Sequence, residues 1–372
     1  MMIKNPKFFL KFFLLALSAA ATSSDKDVRQ VANFQVAILL PLSGELKDEA
    51  KKYEEGFKMA EVDLKTHKAP IEIHFIDTKS STEECARLFI EENKKKTDLI
   101  ISPFSGWCLP KAIELSQNLK QASISLNKYP LLVENKSSFL IHFSTHPDRY
   151  PQAMAIFAKE SLKAESVAIV SELGNQNSWK NAQTFKESWK KLGAKNFSET
   201  SISFNPLDTN AIIEIAKKNN WKFVYFSSDG LKSASLIKAI NDSALKVTFL
   251  GDPSWESENF FKVPSESLAG NFFPIDYFSQ DPERYNLDTL EKYSKFLNKK
   301  TPSAAMALAF DSMMWVKEAV VKDRSQWWTL LEKMQDVPCL SHCEKINNKF
   351  YMERKITILS TQKQRSRFQS TL

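Results

Sequence analysis

Glycine is scarce in this chain, with eight residues in 372 against an average usage of about 7%. Backbone cradles for nucleotide phosphates depend on glycine, so few such sites are available. Catalytic signatures are also missing. There is no GxSxG elbow, no HExxH helix, no Gly-rich dinucleotide fingerprint and no CxxC pair. His142 and His146 lie four apart, but Phe143 and Pro147 place them on an extended segment entering a turn, not on one helix face. No enzymatic role, cofactor or metal is therefore expected. A surface of one sign is absent as well. The formal charge is +7, but three of those charges are Lys4, Lys7 and Lys11, and three are Lys363, Arg365 and Arg367. The body between them carries +1, so nucleic-acid binding is not indicated.

The three early lysines are accompanied by no acid before residue 22. A short apolar run, Phe12–Leu17, follows, and then the small residues Ser18-Ala19-Ala20-Ala21. This is the layout of a cleavable secretory signal over residues 1–21. Its apolar core is too short to span a bilayer, which takes about 20 residues. No cysteine precedes Cys85, so no N-terminal lipid acceptor is expected. The mature protein is expected to be soluble, periplasmic or secreted, and monomeric. The polar tail after residue 360 is expected to be disordered.

Four cysteines in an exported chain read as disulfides. Three pairings are open, and Cys85–Cys108 with Cys339–Cys343 is favoured. Parallel strands bring the loops that carry Cys85 and Cys108 to one sheet edge, while Cys339 and Cys343 can close a small loop after Pro338. A metal site using Cys339, Cys343 and His342 lacks a fourth ligand and the usual CxxC spacing.

The segment Val36–Asp63 is the most informative in the chain. The strand Val36–Leu40 runs into the turn Pro41–Gly44 and then an amphipathic helix. Ligands gather at the carboxyl ends of strands in open parallel sheets, which places Ser43 and Gly44 beside a cleft. Strands then alternate with helices: 71–76, 82–95, 98–102, 109–119, 123–126 and 139–143. The pattern restarts with helix 148–162, strand 166–170, helix 178–192, strand 197–203, helix 208–218, strand 222–226, helix 231–241 and strand 246–250. Two such sets argue for two α/β lobes, each a doubly wound parallel sheet. Helices follow at 282–298, 302–322 and 324–335, with Asp311 in the second and Trp327-Trp328 in the third. They are expected to return to the first lobe. A last edge strand at 355–359 is expected to return to the second.

The leader, the LLPLSG turn (Leu39–Gly44), the FKESWKKLGA run (Phe185–Ala194) and the helix Ser303–Val321, in this order, resemble type I periplasmic solute-binding proteins. The branched-chain amino acid, leucine-binding-protein-like receptors of ABC transporters are the nearest group. The resemblance implies two lobes joined by a hinge, lobe I at 34–141 plus 275–335 and lobe II at 142–274 plus 345–360. A small ligand such as an amino acid would lie between them, and a membrane permease would receive it. The implied ligand positions are Ser43, Ser105, Gly106, Trp107, Asn127, Lys128 and Tyr129 in lobe I, and Asp229, Asp252 and Trp255 in lobe II. Ser105 would cradle an anion, Lys128 add a charge, the two aspartates meet an ammonium, and Trp107 and Trp255 stack on the ligand. As plainer roles, Asp229 and Asp252 read as helix caps, and the tryptophans as packing. The LLPLSG opening and Ser125–Asn127 are also similar to activators of penicillin-binding proteins, for which the partner would be a cell-wall synthase.

Overall fold

The structure, a computed structural model, describes residues 33–103, 108–127, 137–205, 207–263, 266, 268–278, 302–335, 337–341, 343–362 and 365–372. The leader and the helix expected at 282–298 lie outside them. Two sheets carry the fold, one wholly parallel and one with both parallel and antiparallel pairings. The first contains β1 (Phe34–Leu40), β2 (Ile71–Asp77), β3 (Leu99–Ser102), β4 (Ser123–Ser125) and β5 (Leu140–His142), in spatial order β2-β1-β3-β4-β5. All of its pairings are parallel.

Both faces of this sheet are covered, as a parallel sheet requires. Val36, Ile38 and Leu40 face the cluster that contains α1 (Lys47–Thr66), while Ala37 and Leu39 face α2 (Thr82–Lys94) and α3 (Cys108–Leu119). Helix α1 forms because Ala50, Tyr53, Phe57, Ala60 and Leu64 recur at helical spacing and bury one stripe. Cys85, in the first turn of α2, and Cys108, at the start of α3, are joined in a disulfide with their Cα atoms 6.3 Å apart.

Helix α4 (Arg149–Ile156) continues through a π-helical turn at Phe157–Ser161 and opens the second lobe. There follow β6 (Val167–Glu172), α5 (Gln176–Lys191), β7 (Phe197–Ile202), α6 (Thr209–Lys218), β8 (Phe223–Ser227), α7 (Gly230–Asp242) and β9 (Thr248–Leu250). A 3₁₀ turn at Pro253–Glu256, the short α8 (Glu258–Phe261) and β10 (Phe272–Ile275) complete this stretch. Asn175, Asp208 and Asp229 cap α5, α6 and α7 by accepting from the backbone N–H three residues on.

Strand β10 was not legible in the sequence, because Pro274 lacks an N–H and argues against an interior strand. It nonetheless pairs with β9 on one side and with β13 (Thr357–Gln362) on the other. The expected edge strand is therefore not an edge. β14 (Arg365–Thr371) pairs antiparallel outside β13, so the tail expected to be disordered is largely strand. The backbone groups that β13 would leave open give β14 its ladder, and Phe368 packs against the lobe core. The sheet order is β14-β13-β10-β9-β8-β6-β7.

Helix α9 (Ala304–Lys322), capped by Ser303, is buried on nearly every side within the first lobe's core. The shorter α10 (Trp327–Lys333) follows, and Trp327 packs edge-on against Phe34 at 4.9 Å. Helices α1 and α9 touch at Gly56, where an added Cβ would lie 2.3 Å from the Met306 carbonyl oxygen. A Gly56→Val variant is expected to lose about 2 kcal/mol through overpacking. A denaturant melt with an unchanged midpoint would contradict this close approach.

The hairpin β11 (Cys343–Ile346) and β12 (Met352–Arg354) forms a separate two-stranded sheet. Residues 345–354, expected in lobe II, place Ile346 and Met352 in the first lobe's core, while Ile356 and Ile358 belong to the second. The chain thus crosses between lobes after β5, after β10 and after β12. His142 N–H donates to Phe350 O at 2.7 Å, tying the hairpin's turn to β5.

Candidate functional site

In an open α/β sheet the functional crevice lies where successive crossovers leave toward opposite faces. In the first lobe this point is between β1 and β3, since α1 covers one face and α3 the other. Ser43 and Gly44 follow β1 here. Ser105, Gly106 and Trp107, which follow β3, and Lys128 and Tyr129, which follow β4, lie outside the described residues. Ser43 is held in place. Its hydroxyl donates to Asp77 Oδ2 at 2.6 Å and its N–H to Asp77 Oδ1 at 3.1 Å, while Ser80 Oγ donates to its carbonyl at 2.8 Å. Burial pushes the Asp77 carboxyl up, but bonds from Ser43, Lys79 and Leu42 outweigh it and keep the group below the usual range. Ser43 thus ties two loops together, and only its oxygen lone pairs are left for a ligand. Asn127 follows β4 and is half-buried, its N–H 3.3 Å from Ser125 Oγ.

In the second lobe the switch lies between β6 and β8. Helix α5 packs on one face with Tyr225, and α6 and α7 pack on the other with Val224 and Phe226. A connected set of polar side chains fills this carboxyl edge. Glu172, the last residue of β6, accepts from Ser228 Oγ, from Lys232 Nζ at 2.6 Å and from Asn175 Nδ2 at 2.9 Å. Burial raises its carboxyl, but those three bonds prevail and hold it low.

Asn181 Nδ2 donates to Ser227 Oγ at 2.8 Å, and Ser227 in turn donates to Asp252 Oδ2. Asp252 also accepts from Ser254 N–H at 2.8 Å, capping the 3₁₀ turn. Burial raises the Asp252 carboxyl despite the bonds from Ser227 and Ser254, and the charge of Asp229 adds to the rise. Asp229 caps α7 through Lys232 N–H at 2.9 Å, pairs with Lys232 Nζ at 3.2 Å and keeps 54% of its side chain exposed. Both aspartates therefore cap helical turns at the carboxyl ends of their strands.

Trp255 is not available to a ligand. It is fully buried, stacks on Phe260 at 4.8 Å and lies so close to Gly251 that an added Cβ there would meet its ring at 2.2 Å. The 3₁₀ turn points it into the lobe core instead of the crevice. Glu172, Ser227, Ser228 and Lys232 were missed in the sequence. The strand expected at 166–170 stops two residues short of Glu172, and its charge was the only signal that it ended a strand.

A second polar cluster lies in the first lobe's core. Asp311, Cys339 and Cys343 bring potential ligand atoms within 4.8 Å of one another, all buried. The expected Cys339–Cys343 disulfide is not formed, and both are free thiols. Asp311 fixes the intervening turn by accepting from Leu340 N–H at 2.7 Å, Ser341 N–H at 2.9 Å and Ser341 Oγ at 2.6 Å. That presents the Cys343 N–H, not its sulfur, to Cys339 Sγ at 2.7 Å. Arg354, also fully buried, donates through Nε to Ser341 Oγ at 3.0 Å and lies over the Phe143 ring at 4.9 Å. A carboxylate already accepting three bonds beside a guanidinium is a loop anchor and a poor cation ligand. His342 lies outside the described residues.

Two doubly wound lobes with switch-point crevices define the architecture of bilobal solute-binding proteins. A family profile described as "Periplasmic binding protein" matches residues 33–341, and the chain belongs to that family. Solved structures share the fold at low identity. A leucine-binding protein from Thermotoga maritima is 18% identical with a TM-score of 0.71, covering 91% of this chain and 98% of its own. A branched-chain amino acid ABC transporter periplasmic ligand-binding protein from Burkholderia xenovorans is 12% identical with a TM-score of 0.74, covering 91% and 94%. A solute-binding protein of an R. palustris ABC transporter, in complex with benzoate, is 13% identical with a TM-score of 0.64, covering 91% and 96%. No curated protein sequence matches the chain significantly. Among the described residues, no helix is long and apolar enough to cross a membrane.

Proposed function

We propose that the protein is an extracytoplasmic receptor that captures a small polar solute between its lobes and hands it to an ABC-transporter permease, acting by binding and not by catalysis. The carrying observation is the polar edge of lobe II, where Glu172, Ser227, Asp229 and Asp252 line neighbouring strand ends at the switch point of a binding-protein fold. Lobe I supplies the Ser43 loop, together with Ser105 and Lys128 by family resemblance. Residues 1–21 act as the export signal in this reading.

Closure follows only if the solute binds the shut form more tightly than the open one, so both lobes contribute contacts. The test is small-angle scattering with and without a solute first found by native mass spectrometry of protein taken from its exported state. Asp229→Ala combined with Asp252→Ala is expected to abolish ligand-dependent compaction. Losing two caps costs about 2 kcal/mol, so far-ultraviolet circular dichroism checks the fold. Unchanged affinity in the folded double variant would sink the site assignment. A protein that stays solute-free after incubation with amino acids, small peptides and peptidoglycan fragments would point to an interaction role instead.

A further inference from the structure

Buried polar atoms without a partner gather where the chain passes between the lobes. Among the described residues, 13 buried side-chain polar atoms make no hydrogen bond, and eight of them belong to His142, Ser144, Thr145, Asp148, Asp276 and Arg354. These residues end β5 and β12 or closely follow β5 and β10, at the three crossovers. Buried polar groups in folded proteins are almost always paired, so the concentration points to bonds that belong to a second lobe arrangement. Groups fixed on opposite sides of a hinge can meet in one of its arrangements and be parted in the other.

Arg354 and Asp276 are fixed on opposite sides. Arg354 belongs to lobe I, where its Nε donates to Ser341 Oγ at 3.0 Å and its guanidinium lies over Phe143. It is fully buried, and both of its Nη groups have no partner. Asp276 follows β10 and belongs to lobe II, where its Oδ2 accepts from Tyr150 of α4 at 2.7 Å. Its Oδ1 is buried without a partner. Each group thus uses one atom on its own lobe and leaves the facing chemistry unused. Burial works against the charge of Arg354, but Cys343, Asp276, Cys339 and Asp311 outweigh it and hold the guanidinium's pKa above its ordinary value. Asp276 is the lobe II group of these four, so the two charges already act on each other across the hinge. At the crevice, Ser43, Asp77 and Ser80 bond within lobe I, so the polar groups of that loop do not reach lobe II in this arrangement.

We propose that Arg354 and Asp276 form a latch across the hinge: as the lobes shut on a solute, an Arg354 Nη group donates to Asp276 Oδ1 and holds them together. This rests on the receptor reading above. A charge-assisted bond of this kind is short and strong. Because it exists only in the shut arrangement, it favours that arrangement whichever solute fills the crevice. The affinity then depends on two positioning residues that touch no solute.

Pulsed electron spin resonance reads the distance between the lobes in the full exported chain, spin-labelled at Val62→Cys on α1 and Trp179→Cys on α5. Both sites are exposed, and the native cysteines are disulfide-bonded or buried. Leucine, benzoate and any solute retained by the exported protein serve as probes. The wild type is expected to gain a second distance when a probe binds. Asp276→Asn can still accept from Tyr150, yet it is expected to lower the shut fraction and raise the apparent Kd about tenfold. Asp276→Glu, which retains the charge, is expected to recover most of that loss. Adding Arg354→Gln to Asp276→Asn is expected to change little more, because the pair is already broken. Circular dichroism checks each fold, and the two Asp276 variants carry the test if Arg354→Gln does not fold. Wild-type closure and affinity in folded Asp276→Asn overturn the latch and leave the receptor standing. So do additive effects in the double variant. A wild type that keeps one distance with every probe, and with a wider solute library, removes both.

Discussion

A His142→Phe variant is expected to gain stability relative to the wild-type protein as pH falls from 7 to 4. His142 ends β5, is fully buried and stacks on Tyr351 with ring centroids 4.4 Å apart. Both of its ring nitrogens lack a hydrogen-bond partner. Burial, helped by the charge of His146, pushes its pKa down to about 3 from an ordinary 6.5. The folded value lies below the unfolded one. The stability associated with the neutral ring is therefore fully present above about pH 6.5 and is lost as pH falls toward 3, by at most about 5 kcal/mol. Phenylalanine keeps the stacked, buried ring and removes the proton. Urea melts at pH 4 and pH 7 measure the difference. If the variant weakens in acid as much as the wild type, His142 is not buried as described.

Asp311→Ala carries the second large effect. The carboxylate lies fully buried on α9 and holds the 340–341 turn through three hydrogen bonds, with the guanidinium of Arg354 close by. Truncation strands those donors and removes negative charge from beside a buried cation, for an expected loss of about 4 kcal/mol. Its pH dependence has the opposite sign to that of His142. Burial raises the Asp311 carboxyl to about 6 against the bonds from Ser341 and Leu340 and the charge of Arg354. A raised folded value means that its contribution is full below about pH 4 and is lost as pH rises through 6, by about 3 kcal/mol. The two slopes oppose each other between pH 4 and 6.5, so neither shows cleanly in the wild type. Each is read as the difference between a variant and the wild type. Asp311→Asn is expected to erase its own slope and leave that of His142 exposed. A pH profile of Asp311→Asn parallel to that of the wild type would remove Asp311 from this role.

The strand and helix order was largely legible because its signals are local. Buried runs such as Val36–Leu40 and Leu99–Ser102 can satisfy only an interior parallel strand, and the stripe of α1 only a packed helix. Capping by Asp229 and Asp252 was legible for the same reason, since a cap is a contact across three residues or fewer. The candidate site was legible only in part. Glu172 and Lys232 are 60 residues apart in sequence, and nothing near either one announces their contact.

The sequence by itself determined an α/β chain in two repeated sets and a late apolar helix around Asp311, because both follow from periodicity, and it favoured the pairing of Cys85 with Cys108. That disulfide joins α2 and α3 on one face of the sheet, while β1 separates β2 from β3. Only the tertiary structure decided that Trp255 turns into the core, that Phe272–Ile275 forms a strand despite Pro274, and that the polar tail is drawn into a ladder on β13. It also decided that Cys339 and Cys343 remain thiols around a turn anchored on Asp311. In each case the deciding partner is distant in sequence: a neighbouring strand edge, a packed ring or a buried carboxylate. The free energy of such contacts depends on what the rest of the chain brings alongside, and local residue patterns do not carry it.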